Sequence, residues 1–107
     1  MENYFKSLYQ VLKIIEYASY NKIDVYTLFD LEKLKITRRE LSIIIYNILE
    51  EGLVINRFSI SLGYGAARGE LLNPQLTTKG YEFLEENSQM KIAYKLLKEA
   101  KEWIPGL

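Results

Sequence analysis

The chain has 107 residues, of which 49% are hydrophobic, and its 14 basic side chains equal its 14 acidic side chains. A chain of this length is expected to form one domain with a core that needs no cross-links. Because cysteine and histidine are both absent, the sequence excludes disulfides, zinc sites of the usual ligand types, thiol nucleophiles and histidine general bases. We therefore expect no catalytic residue, no metal, no cofactor and no enzymatic activity.

The N-terminal residues carry no basic segment followed by an apolar stretch and a small-residue cleavage site. Nowhere in the chain do about eighteen apolar residues run together, which a membrane-spanning helix would require. We therefore expect a cytoplasmic protein without membrane contact.

Apolar side chains recur at helical spacing over residues 3–19, which predicts a first helix with one buried face. That face is expected to comprise Tyr4, Leu8, Val11, Leu12, Ile15 and Ala18. The β-branched segment 23–25 predicts a short edge strand. Leucines at positions 28, 31 and 34 predict a short second helix over 26–34.

The third helix has the best-defined start in the sequence. Thr37 and Glu40 have the spacing of a capping box, in which each side chain accepts a hydrogen bond from the backbone N–H of the other residue. Gly52 is expected to end this helix in the left-handed conformation. Between these ends, the predicted buried arc comprises Leu41, Ile44, Ile45 and Ile48.

Two strand-like segments follow the third helix. The first covers 53–62, and the second begins at Leu71 and is limited by Pro74 to an edge or an end of a sheet. The glycine-rich segment 63–69 is expected to form the tip between them. Thr77 or Thr78 is expected to cap a fourth helix that runs through Asn87, and a last helix covers about 88–104.

This order of elements is typical of a winged helix, in which three helices are followed by a β-hairpin wing. We therefore expect an α+β, mostly helical fold with two further C-terminal helices. The winged-helix core would cover residues 1–87, and the C-terminal helix in 88–107 would pack on the same single domain.

The segment Leu76-Thr77-Thr78-Lys79-Gly80, with its spacing to Trp103 and Ile104, resembles the C-terminal third of the YjcQ family of small bacterial and prophage proteins. About the first seventy residues match that family only in their order of elements. The resemblance implies a winged-helix-like fold with an extra C-terminal helix and a frequent prophage origin. It implies no particular biochemical activity.

All four arginines of the chain fall at the start of the third helix or in the predicted hairpin. Arg38 and Arg39 lie in the first helical turn, where the helix dipole disfavours positive charge, so they do not stabilise that helix. Contact with DNA phosphates is one explanation, and pairing with nearby carboxylates of Asp30, Glu32 or Glu40 is the other. The predicted nucleic-acid-binding residues are Arg38, Arg39, Ser42, Tyr46, Asn47, Arg57 and Arg68.

Two observations weaken the prediction of DNA binding. The chain has no net charge, whereas a nucleic-acid-binding module usually has a basic excess. The outward face of the third helix would also include Ile43, Tyr46 and Glu50, which suit base reading poorly. The alternative for Ile43 and Tyr46 is packing beneath a neighbouring element.

The first and last helices carry more apolar surface than one buried face requires. A second copy of the chain, or a host or phage protein, would cover the excess. The predicted partner interface comprises Tyr9, Tyr17, Ile92, Leu96 and Trp103.

Three functions remain open from the sequence. The first is a non-enzymatic bacterial or prophage DNA-binding module that regulates transcription. The second is a protein-interaction adaptor or inhibitor of phage origin, and the third is a minor structural phage protein. The glycines of 63–69 lie between two strands and not before a helix, so no nucleotide site or small-molecule substrate is predicted.

Overall fold

The computed structural model describes residues 3–57 and 70–88. Within these ranges the fold is α+β and mostly helical. The helices are α1 (Tyr4–Asn21), α2 (Leu31–Leu34), α3 (Arg38–Glu50) and α4 (Thr78–Ser88), and the strands are β1 (Val54–Asn56) and β2 (Pro74–Leu76). The predicted hairpin tip 63–69 and the predicted last helix lie outside the described residues. No helix in the described ranges is long and apolar enough to cross a membrane.

The hydrophobic core is built around α1, which contacts α3, α4, β2 and the 3-10 turn Val25–Thr27. The predicted face of α1 is confirmed, with only Tyr4 half-buried and the other members buried. The four predicted core residues of α3 are also buried. Each fully buried aliphatic side chain contributes about 1.5–3 kcal/mol relative to exposure. The buried faces of α1 and α3 are therefore a main source of stability.

Burial extends further around α1 than its sequence pattern predicts. Tyr9 is only 2% exposed, and the prediction that it belongs to a partner interface is wrong. Elements of the same chain pack on several sides of α1 and enclose this ring. Burial, and secondarily the charge of Glu16, raises the pKa of the Tyr9 hydroxyl. Tyr17 is half-buried, and the other predicted interface residues, Ile92, Leu96 and Trp103, lie outside the described residues.

The connection between α1 and α3 differs from its prediction. In place of an edge strand at 23–25, the Asp24 carboxylate accepts a hydrogen bond from Tyr26 N at 3.0 Å and starts the 3-10 turn. The predicted second helix is likewise interrupted. The Asp30 carboxylate accepts from the backbone N–H groups of Glu32 and Lys33 at 3.0 and 3.3 Å, so α2 begins only at Leu31. These side-chain bonds compete locally with regular structure.

Both ends of α3 form as predicted. Thr37 Oγ1 accepts from Glu40 N at 3.1 Å, and Glu40 Oε1 accepts from Thr37 N at 2.9 Å. At the other end Gly52 has a φ of +76°. Gly52 N donates to Leu49 O at 3.2 Å and Leu53 N donates to Ile48 O at 2.9 Å, which completes a Schellman motif.

The strands β1 and β2 pair antiparallel, with Val54 opposite Leu76 and Asn56 opposite Pro74. The returning strand begins at Pro74 and not at Leu71 as predicted. The reason is that Leu71 N donates to the Tyr26 hydroxyl at 2.9 Å and is therefore not available to a partner strand. Leu72 N likewise donates to the Asn56 side chain at 2.9 Å.

The segment 76–80 joins three elements and is called the α4 clasp below. Thr77 N donates to Leu53 O at 3.0 Å, while Thr77 Oγ1 accepts from Gly80 N at 3.2 Å and so caps α4. Lys79 Nζ donates to Glu51 O at 3.0 Å, at the end of α3. The α4 clasp therefore holds the end of α3, the start of β1 and the start of α4 together, which is a structural role.

Candidate nucleic-acid interface

The outward face of α3 is an exposed stripe opposite the buried arc. Its spacing follows the helix, because residues three, four and seven positions apart share one side. We call this surface the α3 face; its exposed members are Arg38, Arg39, Ser42, Ile43, Tyr46 and Glu50.

The two arginines of the α3 face make no ion pair within the described residues: neither guanidinium of Arg38 or Arg39 has a carboxylate within 4.0 Å. Two of the proposed partners have other roles, since Asp30 caps α2 and Glu40 completes the capping box of α3. Ion pairing therefore does not account for two cations in the first turn of α3. Each opposes the helix dipole at a cost of about 0.3–1 kcal/mol.

The far end of α3 carries the opposite charge. Glu50 and Glu51 are both exposed there, and the last turn holds no basic residue. Negative charge at a helix C-terminus is also unfavourable to the dipole. The α3 face is thus basic at its start and acidic at its end, in the order that helix stability disfavours.

The polar side chains near the middle of α3 differ in their availability. Ser42 Oγ donates to Arg38 O at 3.2 Å, which leaves its oxygen able to accept. Asn47 is half-buried, and its amide donates to the Tyr4 hydroxyl at 3.0 Å. Asn47 therefore stabilises the packing of α3 on α1 and is not placed for base reading.

The two apolar members of the α3 face remain open to solvent. Ile43 is 42% exposed and Tyr46 is 45% exposed, so no element among residues 3–57 and 70–88 covers them. On this surface they offer contacts to a base edge, a methyl group or a partner protein.

The predicted hairpin residues are described only in part. Arg57 is exposed, and its backbone is fixed because Arg57 N donates to Asn73 O at 3.1 Å and Asn73 Nδ2 donates to Arg57 O at 2.7 Å. Arg68 lies outside the described residues, so its assignment stays a prediction.

Two clefts lie beside these elements. The larger, about 870 Å³, lies between the C-terminal end of α1 and the segment 70–75, and Lys22 and Tyr26 line it. The smaller, about 330 Å³, lies between the start of α1 and the turn from α2 to α3. Three lysines of the smaller cleft, Lys6, Lys33 and Lys35, are absent from the predicted site, although Lys33 and Lys35 lie only a few residues before Arg38 in sequence.

Metal ligation finds no support in this part of the chain. Over 3–57 and 70–88, no group of three or more acidic side chains is placed to hold an ion.

Asn47→Ala is expected to lower the free energy of unfolding by about 1 kcal/mol, because it removes the hydrogen bond to Tyr4. Tyr4→Phe removes the same bond from the other side, so urea unfolding of the two single variants and the double variant should give a coupling energy of about 0.5–1.5 kcal/mol. DNA affinity should change less than about twofold. Unchanged stability together with altered base preference would assign Asn47 to base reading instead.

The elements above define a small α+β protein whose third helix presents a charged and partly apolar face. The model of the family described as YjcQ protein matches residues 9–103, and the chain belongs to this family, as the α4 clasp sequence and its spacing to Trp103 predict. The chain is 43% identical over 49 residues to the “Uncharacterized protein YjcQ” of Bacillus subtilis (strain 168). The alignment covers 44% of this chain and 52% of that protein, so the chain spans about half the length of the curated relative it matches. No solved structure matches the chain.

Proposed function

We propose that this protein is a winged helix that binds duplex DNA through the α3 face and regulates transcription. The observation that carries the proposal is the pair Arg38 and Arg39, exposed, without ion pairs in the described residues and unfavourably placed for the helix dipole. A surface that carries such a cost for stability is best explained by an anionic partner.

The order of elements supports the winged-helix assignment. Three helices precede an antiparallel hairpin, and α4 follows directly. The capping box fixes the start of α3, and the Schellman motif fixes its end, so the α3 face is a rigid surface. The paired strands β1 and β2 would form the base of the wing, with Arg57 at the exit of β1.

The chemistry of the α3 face assigns a role to each part. Arg38 and Arg39 would contact phosphates at the edge of the major groove, because guanidinium groups pair with phosphate in a bidentate manner. Ser42 and Tyr46 would reach base edges, where the Ser42 oxygen can accept a hydrogen bond and the Tyr46 ring can contact a thymine methyl group. Glu50 would either accept from a cytosine amino group or limit how deeply the helix enters the groove.

Because the chain has no net charge, we expect its DNA affinity to depend only weakly on salt. A protein that contacts only a few phosphates should show a shallow dependence of affinity on salt, with a log–log slope of about −2 to −4. Fluorescence anisotropy with a labelled duplex of about 20 base pairs, repeated from low to physiological salt, measures this slope. Absence of binding to random DNA and to DNA from the gene's own neighbourhood at low salt would contradict the proposal.

A second function, a protein-interaction adaptor or inhibitor, is favoured by Ile43 and Tyr46, which are large, apolar and exposed on the same face. Ile43→Ser and Tyr46→Ser separate the two functions. If the protein is an adaptor, these variants lose partner binding, whereas removal of Arg38 and Arg39 has little effect on it. If the protein binds DNA, removal of the two arginines weakens binding more than the two serine substitutions do.

A further inference from the structure

The smaller cleft brings together side chains from parts of the chain that are distant in sequence. Asn3, Lys6 and Ser7 line it from the start of α1, and Lys33 and Lys35 line it from the turn that precedes α3. The cleft, of about 330 Å³, is large enough for a phosphate group.

The charge of this cleft is positive. Three lysines line it, against the single carboxylate of Glu40. One oxygen of that carboxylate accepts from Thr37 N at 2.9 Å within the capping box. Lys6 and Lys33 each take part in a further interaction. Since an ammonium group has three N–H donors, an anion can share it with another partner.

A serine lines the same cleft. Ser7 contributes to the lining from the first turns of α1, and the residue is only 3% exposed. A serine hydroxyl can donate a hydrogen bond to a phosphate oxygen.

Lys35 has an unfavourable backbone conformation. As the C-cap of α2 it has a φ of +58°, a region that glycine adopts without steric cost and lysine does not. Its neighbour Ile36 is buried, while Lys35 itself is exposed. Glycine at this position would therefore remove the ammonium group without adding backbone strain.

We propose that this cleft binds a phosphate group through Lys6, Lys33, Lys35 and the Ser7 hydroxyl. The phosphate comes either from the backbone of a DNA duplex bound at the adjacent α3 face or from a free phosphate-bearing ligand. The first source rests on the proposed function, and the second does not.

The chain offers a closely matched control for Lys35. Lys22 is the C-cap of α1, with a φ of 56° against 58° for Lys35, and it lines the other cleft. Lys35→Gly and Lys22→Gly each remove one positive charge, and each also removes the steric cost of a side chain at a positive φ. Both variants should therefore fold at least as stably as the parent chain.

The experiment is an NMR titration of the ¹⁵N-labelled chain with inorganic phosphate, against chloride at equal ionic strength. We expect saturable shifts of the Ser7 and Ile36 amide signals, an affinity about tenfold lower in Lys35→Gly, and an affinity within about twofold of the parent in Lys22→Gly. Ser7→Ala should also weaken phosphate binding. No saturable shift, or equal losses in the two glycine variants, would overturn the proposal.

A second measurement, on duplex DNA, identifies the source of the phosphate. If the source is the DNA backbone, Lys35→Gly should reduce the salt slope of DNA binding by about 1, and Lys22→Gly should not change it. If inorganic phosphate binds while this slope is unchanged, or while no DNA binds at all, the cleft takes a free phosphate-bearing ligand. In that last case the proposed function fails and the phosphate site stands.

Discussion

Gly80→Ala is expected to lower the free energy of unfolding by about 3 kcal/mol or more, at the upper end of overpacking effects. A Cβ at position 80 would collide with the backbone oxygen of Leu53 and lie 3.3 Å from its carbonyl carbon. That oxygen cannot retreat easily, because it accepts from Thr77 N at 3.0 Å. Relief requires that α4 move away from β1, which breaks the α4 clasp. A domain of this size has about 5–15 kcal/mol of stability in total, so the loss is a large fraction.

Gly52→Ala provides the matched control for this prediction. Gly52 has a φ of +76°, but a Cβ added there would have no neighbouring atom within 4 Å, so alanine meets only the backbone cost. That cost is about 1–2 kcal/mol. Urea unfolding followed by circular dichroism should rank Gly80→Ala as clearly less stable than Gly52→Ala. Equal losses, or a Gly80→Ala chain as stable as the parent, would contradict the close packing of α4 on Leu53.

Arg38→Glu combined with Arg39→Glu is expected to weaken binding to duplex DNA about 100-fold or more at low salt, for all DNA sequences together. At the same time the free energy of unfolding should rise by about 0.3–1 kcal/mol per residue, because negative charge suits the first turn of a helix. The opposite signs are the important feature of this prediction. They exclude unfolding as the cause of lost binding.

The control for the double variant is a charge reversal elsewhere on the surface. Lys22→Glu makes the same change of charge as Arg39→Glu at a position far along the chain from α3, and it should weaken DNA binding less than about threefold. Anisotropy and urea unfolding on the same samples give both quantities. A double variant that binds DNA like the parent, or that binds less only because it is less stable, would remove the α3 face from the proposed function.

The parts of the fold that depend on local sequence were predictable. The capping box at Thr37 and Glu40, the Schellman glycine at 52 and the buried arc of α3 all follow from spacings within one helix, and the structure confirms them. The connection before α3 was not predictable from apolar spacing. There, hydrogen bonds to the carboxylates of Asp24 and Asp30 decide where each short helix begins.

The parts that depend on long-range packing were less predictable. Tyr9 looked like excess surface on an amphipathic helix, but other elements surround α1 and enclose this ring. The smaller cleft was missed for a related reason, because Lys6 joins Lys33 and Lys35 only through the packing of α1 beside the α2–α3 turn. The sequence Leu76 to Gly80 identified the family, whereas its role as a clasp needed the position of Leu53 O.

The most direct test of the proposed function is an NMR map of the DNA-binding surface. The ¹⁵N-labelled chain is titrated at low salt with an unlabelled duplex of about 20 base pairs, and the perturbed amide and guanidinium signals are assigned. We predict that the largest shifts fall on Arg38, Arg39, Ser42 and Tyr46, with a further shift at Arg57 in the hairpin. Shifts confined to elements other than α3 and the hairpin, or a spectrum that DNA leaves unchanged, would contradict DNA binding through the α3 face.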